Sequence, residues 1–345
     1  MSDRDLTRLL ADYFQATFPP AAVTAAEADG PDPAAWDAVE RLGFTLVGVG
    51  EVHGGSGGDL LDLVEVLFAS GHWAVPLPLA ETGLAAWLLE AVGADVPRGP
   101  LTVIPSAAGL RLSGDRLTGD AGRVPWCRGA TRVVAALTDD AGQHRVVSVD
   151  PRDLSVRPAT DLAGMPYDYV TVRSDRVASW PGIDPDLLFL RGALYRSAQI
   201  AGAIDGALAI TRQYVRERHQ FGQAIGRFQA VQAHVVELAE AATITMLSTS
   251  RAARAAVSGR AAFEILAARS IAARHASLAV RAAHQAHGAI GLTREYRLQQ
   301  VTRRLHSWSQ EFGSEPSLNT RLGIALAGTP GLMAAATSVG STVGA

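Results

Sequence analysis

Apolar residues between Leu6 and Ala94 recur at three- and four-residue intervals, in short runs separated by Gly, Pro and Asp. That spacing predicts short helices joined by loops. Asp32 ahead of Pro33 puts a capping carboxylate before a proline at the first helical position, so a helix is expected to start there. Asp59 opens another, with Leu60, Leu61, Val64, Leu67 and Phe68 on one face, and Ala80 to Val92 reads as a third despite Gly83. From Pro100 to Ser174 the texture changes. Short apolar runs (Leu101 to Ile104, Arg132 to Leu137, Val146 to Val149, Tyr169 to Val172) alternate with Gly/Asp/Pro turns, a strand pattern that suggests a small antiparallel β domain.

Helical periodicity returns at Asp184 and persists to about Ala327. Leu187 to Ile210, Val231 to Met246 and Phe263 to Val280 mark three long helices, and Arg294 to Ser309 and Asn319 to Ala327 supply two shorter ones. Long helices with short connections make a bundle. Helices, then strands, then helices is a segregated order, which disfavours a doubly wound sheet. The expected class is α+β. An N-terminal α-helical domain is expected over residues 1–95, a reduced β domain over 96–182, a long four-helix bundle over 183–328, and a small-residue flexible tail over 329–345.

Composition narrows the function classes. The chain has 345 residues, 48% of them hydrophobic, which suits two or three packed domains. Its most apolar stretch, Ala74 to Val92, is interrupted by Pro76, Pro78 and Glu81, so no membrane span is expected. A formal charge of −3 without a basic tract gives no reason to expect a nucleic-acid partner. The single cysteine, Cys127, rules out a disulfide framework and fits a cytoplasmic location. Every basic residue other than histidine is arginine, which excludes a catalytic lysine.

Gly54-Gly55-Ser56-Gly57-Gly58 matches the nucleophile elbow of hydrolases, and Gly48 to Gly54 hints at a dinucleotide loop. Neither is followed by the α/β alternation those sites require, so the segment reads as a loop between helices. His284 and His287 have a spacing that metal ligands can use, but no third ligand accompanies them, and they read as polar residues near a helix end.

The stretch from Arg216 to Gln229 is more specific. Arg218-His219-Gln220-Phe221-Gly222, with Phe228-Gln229 beyond, resembles the R-x-Q-F-G…F-Q signature of the acyl-CoA dehydrogenase family. Gln285 to Gly291 resembles the family's Q-x-x-G-G-x-G loop, with Ala289 in place of the second glycine. Glu295-Tyr296 and Arg303 fall at its E-Y…R spacing, and Trp36…Leu42-Gly43-Phe44 resembles its first helix end. The resemblance covers about residues 6 to 327. It implies the family's fold, a shared FAD, and cofactor contacts from Arg218, Gln220, Phe221, Gln229, Gln285, His287, Gly288 and Ala289. A guanidinium suits that role, because its planar fork makes bidentate bonds to phosphate.

The residues that the family uses for chemistry are altered. Ungapped alignment from Gly291, Tyr296 and Arg303 puts Phe312 at the usual position of the catalytic carboxylate, and the alternative position on the preceding long helix falls on Gly192. Glu311 and Glu315 are nearby acids. The flavin-contacting loop survives only as Val103 to Gly109, and Arg128 stands where the family places a flavin-facing threonine. The resemblance therefore points to the non-catalytic subunit of an actinobacterial heteromeric acyl-CoA dehydrogenase of the steroid side-chain type. Such a subunit would be paired with a homologous subunit, as α2β2, that supplies the base and most of the acyl-CoA site. The alternatives are a homo-oligomeric dehydrogenase using Glu311 or Glu315, and a flavin-free structural homologue.

Overall fold

The structure, a computed structural model, describes residues 3–259 and 261–327. The segment 329–345, expected as a tail, lies outside them. Helical N- and C-terminal regions flank a sheet-forming middle, as the periodicity implies. By compactness the chain falls into two units, neither of them a single stretch: residues 24–63 with 76–192, and residues 1–23 with 64–75 and 193–345. The 1–95 segment is thus divided between them.

The unit containing the sheets begins with α2 (Pro20–Asp29) and α3 (Pro33–Arg41). Asp32 caps α3 as expected, its carboxylate accepting from the Ala34 amide at 2.9 Å. Asp59 likewise accepts from the Leu61 amide at 2.7 Å, at the start of α4 (Leu60–His72). The glycine-rich segment before it is a loop. The Ser56 hydroxyl donates to the Gly43 carbonyl at 2.6 Å, which occupies it structurally. Helix α5 (Leu79–Ala91) carries Leu79, Leu84, Leu88 and Leu89 fully buried. Their removal from water contributes roughly 1.5–3 kcal/mol each. The apolar stretch around Ala74 to Val92 is therefore an interior helix, and no described helix is long and apolar enough to cross a membrane.

Two four-stranded sheets follow. One orders β1 (Leu101–Val103), β4 (Arg132–Thr138), β5 (His144–Val149) and β8 (Ala178–Pro181). The other orders β2 (Leu110–Ser113), β3 (Arg116–Pro125), β7 (Tyr167–Ser174) and β6 (Leu154–Arg157). Val124, Val133, Leu137, Val147, Val170 and Val172 belong to one core cluster drawn from both sheets. The expectation of an antiparallel domain needs one correction, since β1 pairs with β4 in parallel. Strands β2, β3, β6 and β8 had no clear apolar run. β3 illustrates why: Gly119 and Gly122 have positive φ, and a bulge between Asp120 and Gly122 breaks its alternation.

The second unit holds α1 (Asp3–Thr17), α6 (Pro185–Glu217) from Ala193 on, and the long helices α7 (Gln229–Val257) and α8 (Ala262–His287). α8 packs along α7 and is flanked by α9 (Leu298–Trp308) and α10 (Glu315–Ala327). α9 starts four residues later than its apolar spacing implied, because 294–297 form turns.

Candidate functional site

A two-stranded hairpin, β9 (His219–Gln220) and β10 (Gln223–Ala224), joins α6 to α7. Its two-residue turn is Phe221-Gly222, with φ of 52° and 80°. Two central residues at positive φ are what a tight hairpin of right-twisted strands requires. Glycine adopts that conformation freely and phenylalanine does not. Phe221 is nevertheless 91% exposed, with only the edge of Phe228 near it at 6.0 Å between ring centres. Arg218, Gln220 and Gln229 are also exposed, and the Arg218 guanidinium makes no hydrogen bond or ion pair among the described residues. Beside the hairpin an open groove of about 490 Å³ is lined by Arg212, Arg216 and Arg227.

The second motif lies against the first. Val215, Ile225 and Ala286 form a small core that ties the end of α6 and the hairpin to the end of α8, with Tyr214 and Phe228 packed on it. Gln285, Gly288 and Ala289 are exposed there. Gly288 has φ 65° and ψ −148°, a conformation essentially confined to glycine. His287, expected as a cofactor contact, has its side chain turned into the core. It is 5% exposed, stacked on Tyr214 at 4.4 Å, flanked by Tyr296 at 5.2 Å, and its Nδ1 lies 2.8 Å from the Ala283 carbonyl. Burial, more than the nearby His284, pushes its pKa down. His287 thus braces the loop from inside, because its position in the last turn of α8 faces the core. Among the described residues no group of three metal-ligating side chains forms, so His284 and His287 have no third ligand.

The loop after α9 carries the residues aligned with the catalytic carboxylate. Phe312 is 9% exposed, with φ 47°. Glu311 is bound by Arg196 of α6, Nη2 to Oε2 2.6 Å, with side-chain exposures of 3% for the arginine and 12% for the glutamate. Arg269 of α8, fully buried, donates to the carbonyls of Trp308 at 2.8 Å, Ser309 at 3.0 Å and Glu311 at 3.1 Å. These are carbonyls at a helix C-terminus, which lack helical partners and attract a cation. Burial and the neighbouring Arg196 push Arg269 down to about 9. Glu315 opens α10, where the helix dipole favours a carboxylate. Gly192 lies within α6 and offers no acid.

In the sheet unit Arg128 is held in place. Its guanidinium pairs with fully buried Asp168 at 3.0 Å and also donates to the Ala159 carbonyl. Asp168 accepts from the amides of Arg128 and Ala159 as well. Trp126 and Arg128 line a cavity of about 560 Å³ together with Trp36, Pro78, Pro100 and Thr160. Cys127 is buried, and desolvation followed by the charge of Asp168 pushes its thiol up to about 12, which leaves it without thiolate character.

Residues 188–316 match the acyl-CoA dehydrogenase C-terminal domain. The chain is 27% identical to acyl-CoA dehydrogenase IpdE2 of Mycolicibacterium smegmatis over 295 residues, covering 82% of this chain and 85% of that one. The chain is thus similar to acyl-CoA dehydrogenases, and its C-terminal part matches that family's model. Its fold agrees with the Tcur3481-Tcur3483 steroid ACAD, solved as a variant, at a TM-score of 0.84 and 25% identity, covering 93% of this chain and 96% of that one. It also agrees with the ChsE4-ChsE5 complex from Mycobacterium tuberculosis at a TM-score of 0.86 and 23% identity, covering 96% and 99%.

Acyl-CoA dehydrogenases bind FAD, and two parts of this chain fit it unequally. The end of the bundle fits. Arg218 is an exposed cation without an ion pair among the described residues, Phe221 an exposed ring, and Gln285 an exposed amide beside an open glycine backbone, a donor set suited to phosphates and a flat aromatic system. The family's own flavin-facing strand and loop do not fit. Arg128, expected at the flavin-facing threonine position, is committed to Asp168. Gly109 serves strand packing, since a Cβ there would stand 2.2 Å from the Asp120 carbonyl. Sequence reasoning missed Arg196 as a structural residue. One signal was available: it is the only charge in the run Ala193 to Ile204.

Proposed function

We propose that this chain is the non-catalytic subunit of a heteromeric acyl-CoA dehydrogenase. In this reading a homologous partner supplies the base, the isoalloxazine pocket and most of the acyl-CoA site. When bound, FAD supplies the acceptor for the hydride that leaves the β-carbon of the thioester. This chain's part is to hold: Arg218, Phe221 and Gln285 approach a cofactor seated mainly in the partner, while the Tyr214–His287–Tyr296 cluster fixes the loop behind them.

The observation that carries the proposal is the state of Glu311. It is the acid next to the base position, and its carboxylate is engaged by a buried arginine. A general base must lie within hydrogen-bond reach of the substrate proton and be able to accept it. Phe312 beside it has no acid to offer. The paired names of Tcur3481-Tcur3483 and ChsE4-ChsE5 support a homologous partner, and the former, a steroid ACAD, supports a bulky acyl group such as a steroid side-chain thioester.

The test is the flavin-to-chain ratio after co-purification with a homologous partner. Half occupancy supports the divided site, and one flavin on every chain overturns it. In the same complex Glu311→Gln is expected to leave turnover nearly unchanged. A loss of about 10²-fold or more, the size expected for removing a general base, argues for catalysis on this chain.

A further inference from the structure

A second cleft lies in the helical unit, lined by residues of α1 and the turn after it, the end of α4, the middle of α6 and the start of α9. Its volume is about 260 Å³. That is below the roughly 300–1,000 Å³ of clefts for drug-sized ligands, so its occupant is small. Neither the family signature nor the proposed function uses any of these residues.

The cleft is built by an unusually close crossing of α4 and α6. A Cβ at Gly202 would stand 1.8 Å from the Phe68 carbonyl, one at Gly206 2.5 Å from that of His72, and one at Gly71 2.0 Å from that of Gln199. The three glycines let backbone meet backbone. This approach puts His72 against Asp205, Nδ1 to Oδ2 2.8 Å, and the carboxylate fixes the ring. The other ring nitrogen has no partner among the described residues. Just beyond α4, Ala74 lines the cleft at φ 52°, buried to 3% exposure. A side-chain residue held in that conformation costs energy and is often found at sites with a function.

Arg297, at the start of α9, lines the same cleft. It is half-buried, and its guanidinium makes no hydrogen bond or ion pair among the described residues. A partly desolvated guanidinium without a counter-charge favours an anionic ligand. The remaining walls are apolar: Phe18, Pro19, Trp73, Ile210 and Val301. We infer that this cleft binds a small organic acid, its carboxylate on the Arg297 fork and its apolar body against Phe18, Ile210 and Val301. A bare oxyanion would use the cation and waste the apolar walls, and a neutral ligand would leave the cation unmatched.

Benzoate is a suitable probe, titrated into the full chain by calorimetry, with benzamide and inorganic phosphate as comparators. Saturable one-to-one binding of benzoate is expected, at least about tenfold tighter than either comparator, because one charge-assisted bidentate pair is worth about that factor. Arg297→Gln should weaken it about tenfold or more, and Arg297→Lys, which keeps the charge and loses the fork, by less. Unchanged melting temperatures establish that the variants fold. The inference is overturned by the absence of saturable binding, by undiminished affinity in a folded Arg297→Gln protein, or by phosphate or benzamide binding as tightly as benzoate.

Discussion

Phe221 and Phe312 both sit at positive φ, 52° and 47°, yet one is 91% exposed at a hairpin tip and the other 9% exposed behind a helix end. The conformation costs each of them on the order of 1–3 kcal/mol. Around Phe312 the compensation is visible within the chain. Arg269 ties three carbonyls of the preceding segment, Arg196 ties Glu311, and the ring itself is buried. Around Phe221 it is not. The ring meets the edge of Phe228, and the nearby Arg218 guanidinium has no anion among the described residues. Strain repaid inside the fold marks a structural site, and strain left unpaid at the surface marks a contact completed by something else. The same contrast separates the arginines, since Arg269 is consumed by its own chain while Arg218 is available.

Breaking the internal side should have the largest effect. Arg269→Ala removes a buried cation and leaves carbonyls of the loop without donors, so a loss of about 3–5 kcal/mol in urea denaturation is expected. A loss under about 1 kcal/mol would mean that Arg269 does not organise this loop. The two phenylalanines can be compared directly. Phe312→Gly should destabilise the chain by about 2 kcal/mol, because lost burial exceeds relieved strain. Phe221→Gly should stabilise the isolated chain by about 1 kcal/mol while weakening the assembled complex. Equal signs for both variants would abolish the distinction. Arg218→Ala should loosen flavin in the complex by about tenfold, as retention after dilution would show, with chain stability changed by no more than about 0.5 kcal/mol.

The smallest effect concerns pH. Burial holds His287 below its ordinary value of 6.5. Below that value the unfolded chain binds a proton that the folded chain refuses, so stability is intact above it and falls as pH drops towards the depressed folded value. His287→Phe, which can keep the stack on Tyr214, should flatten this acid limb in pH-dependent melting. His284 and His275, lowered mainly by burial as well, should preserve the rest of it.

Much of the fold was legible. Helix starts at Asp32 and Asp59 follow from local capping chemistry, and four strands follow from apolar runs. The signature was legible too, because Arg218 to Gly222 and Phe228-Gln229 lie within a dozen residues, but the hairpin that carries it was not. The parallel β1–β4 pair was not, because direction of pairing is absent from a strand's own alternation. Nor was the inward turn of His287, since a motif gives a residue's position without its facing.

The sequence by itself determined the order of elements, the family signature and the lack of an acid at positions 312 and 192. These are properties of single positions or of periodic runs. Only the tertiary structure decided what the remaining charges do. Glu311 meets Arg196 across 115 residues, Arg269 reaches the Glu311 carbonyl across 42, and His72 meets Asp205 across 133. Pairings at that separation are set by helix packing, in one case by glycines on two helices, and packing leaves no mark on either residue alone.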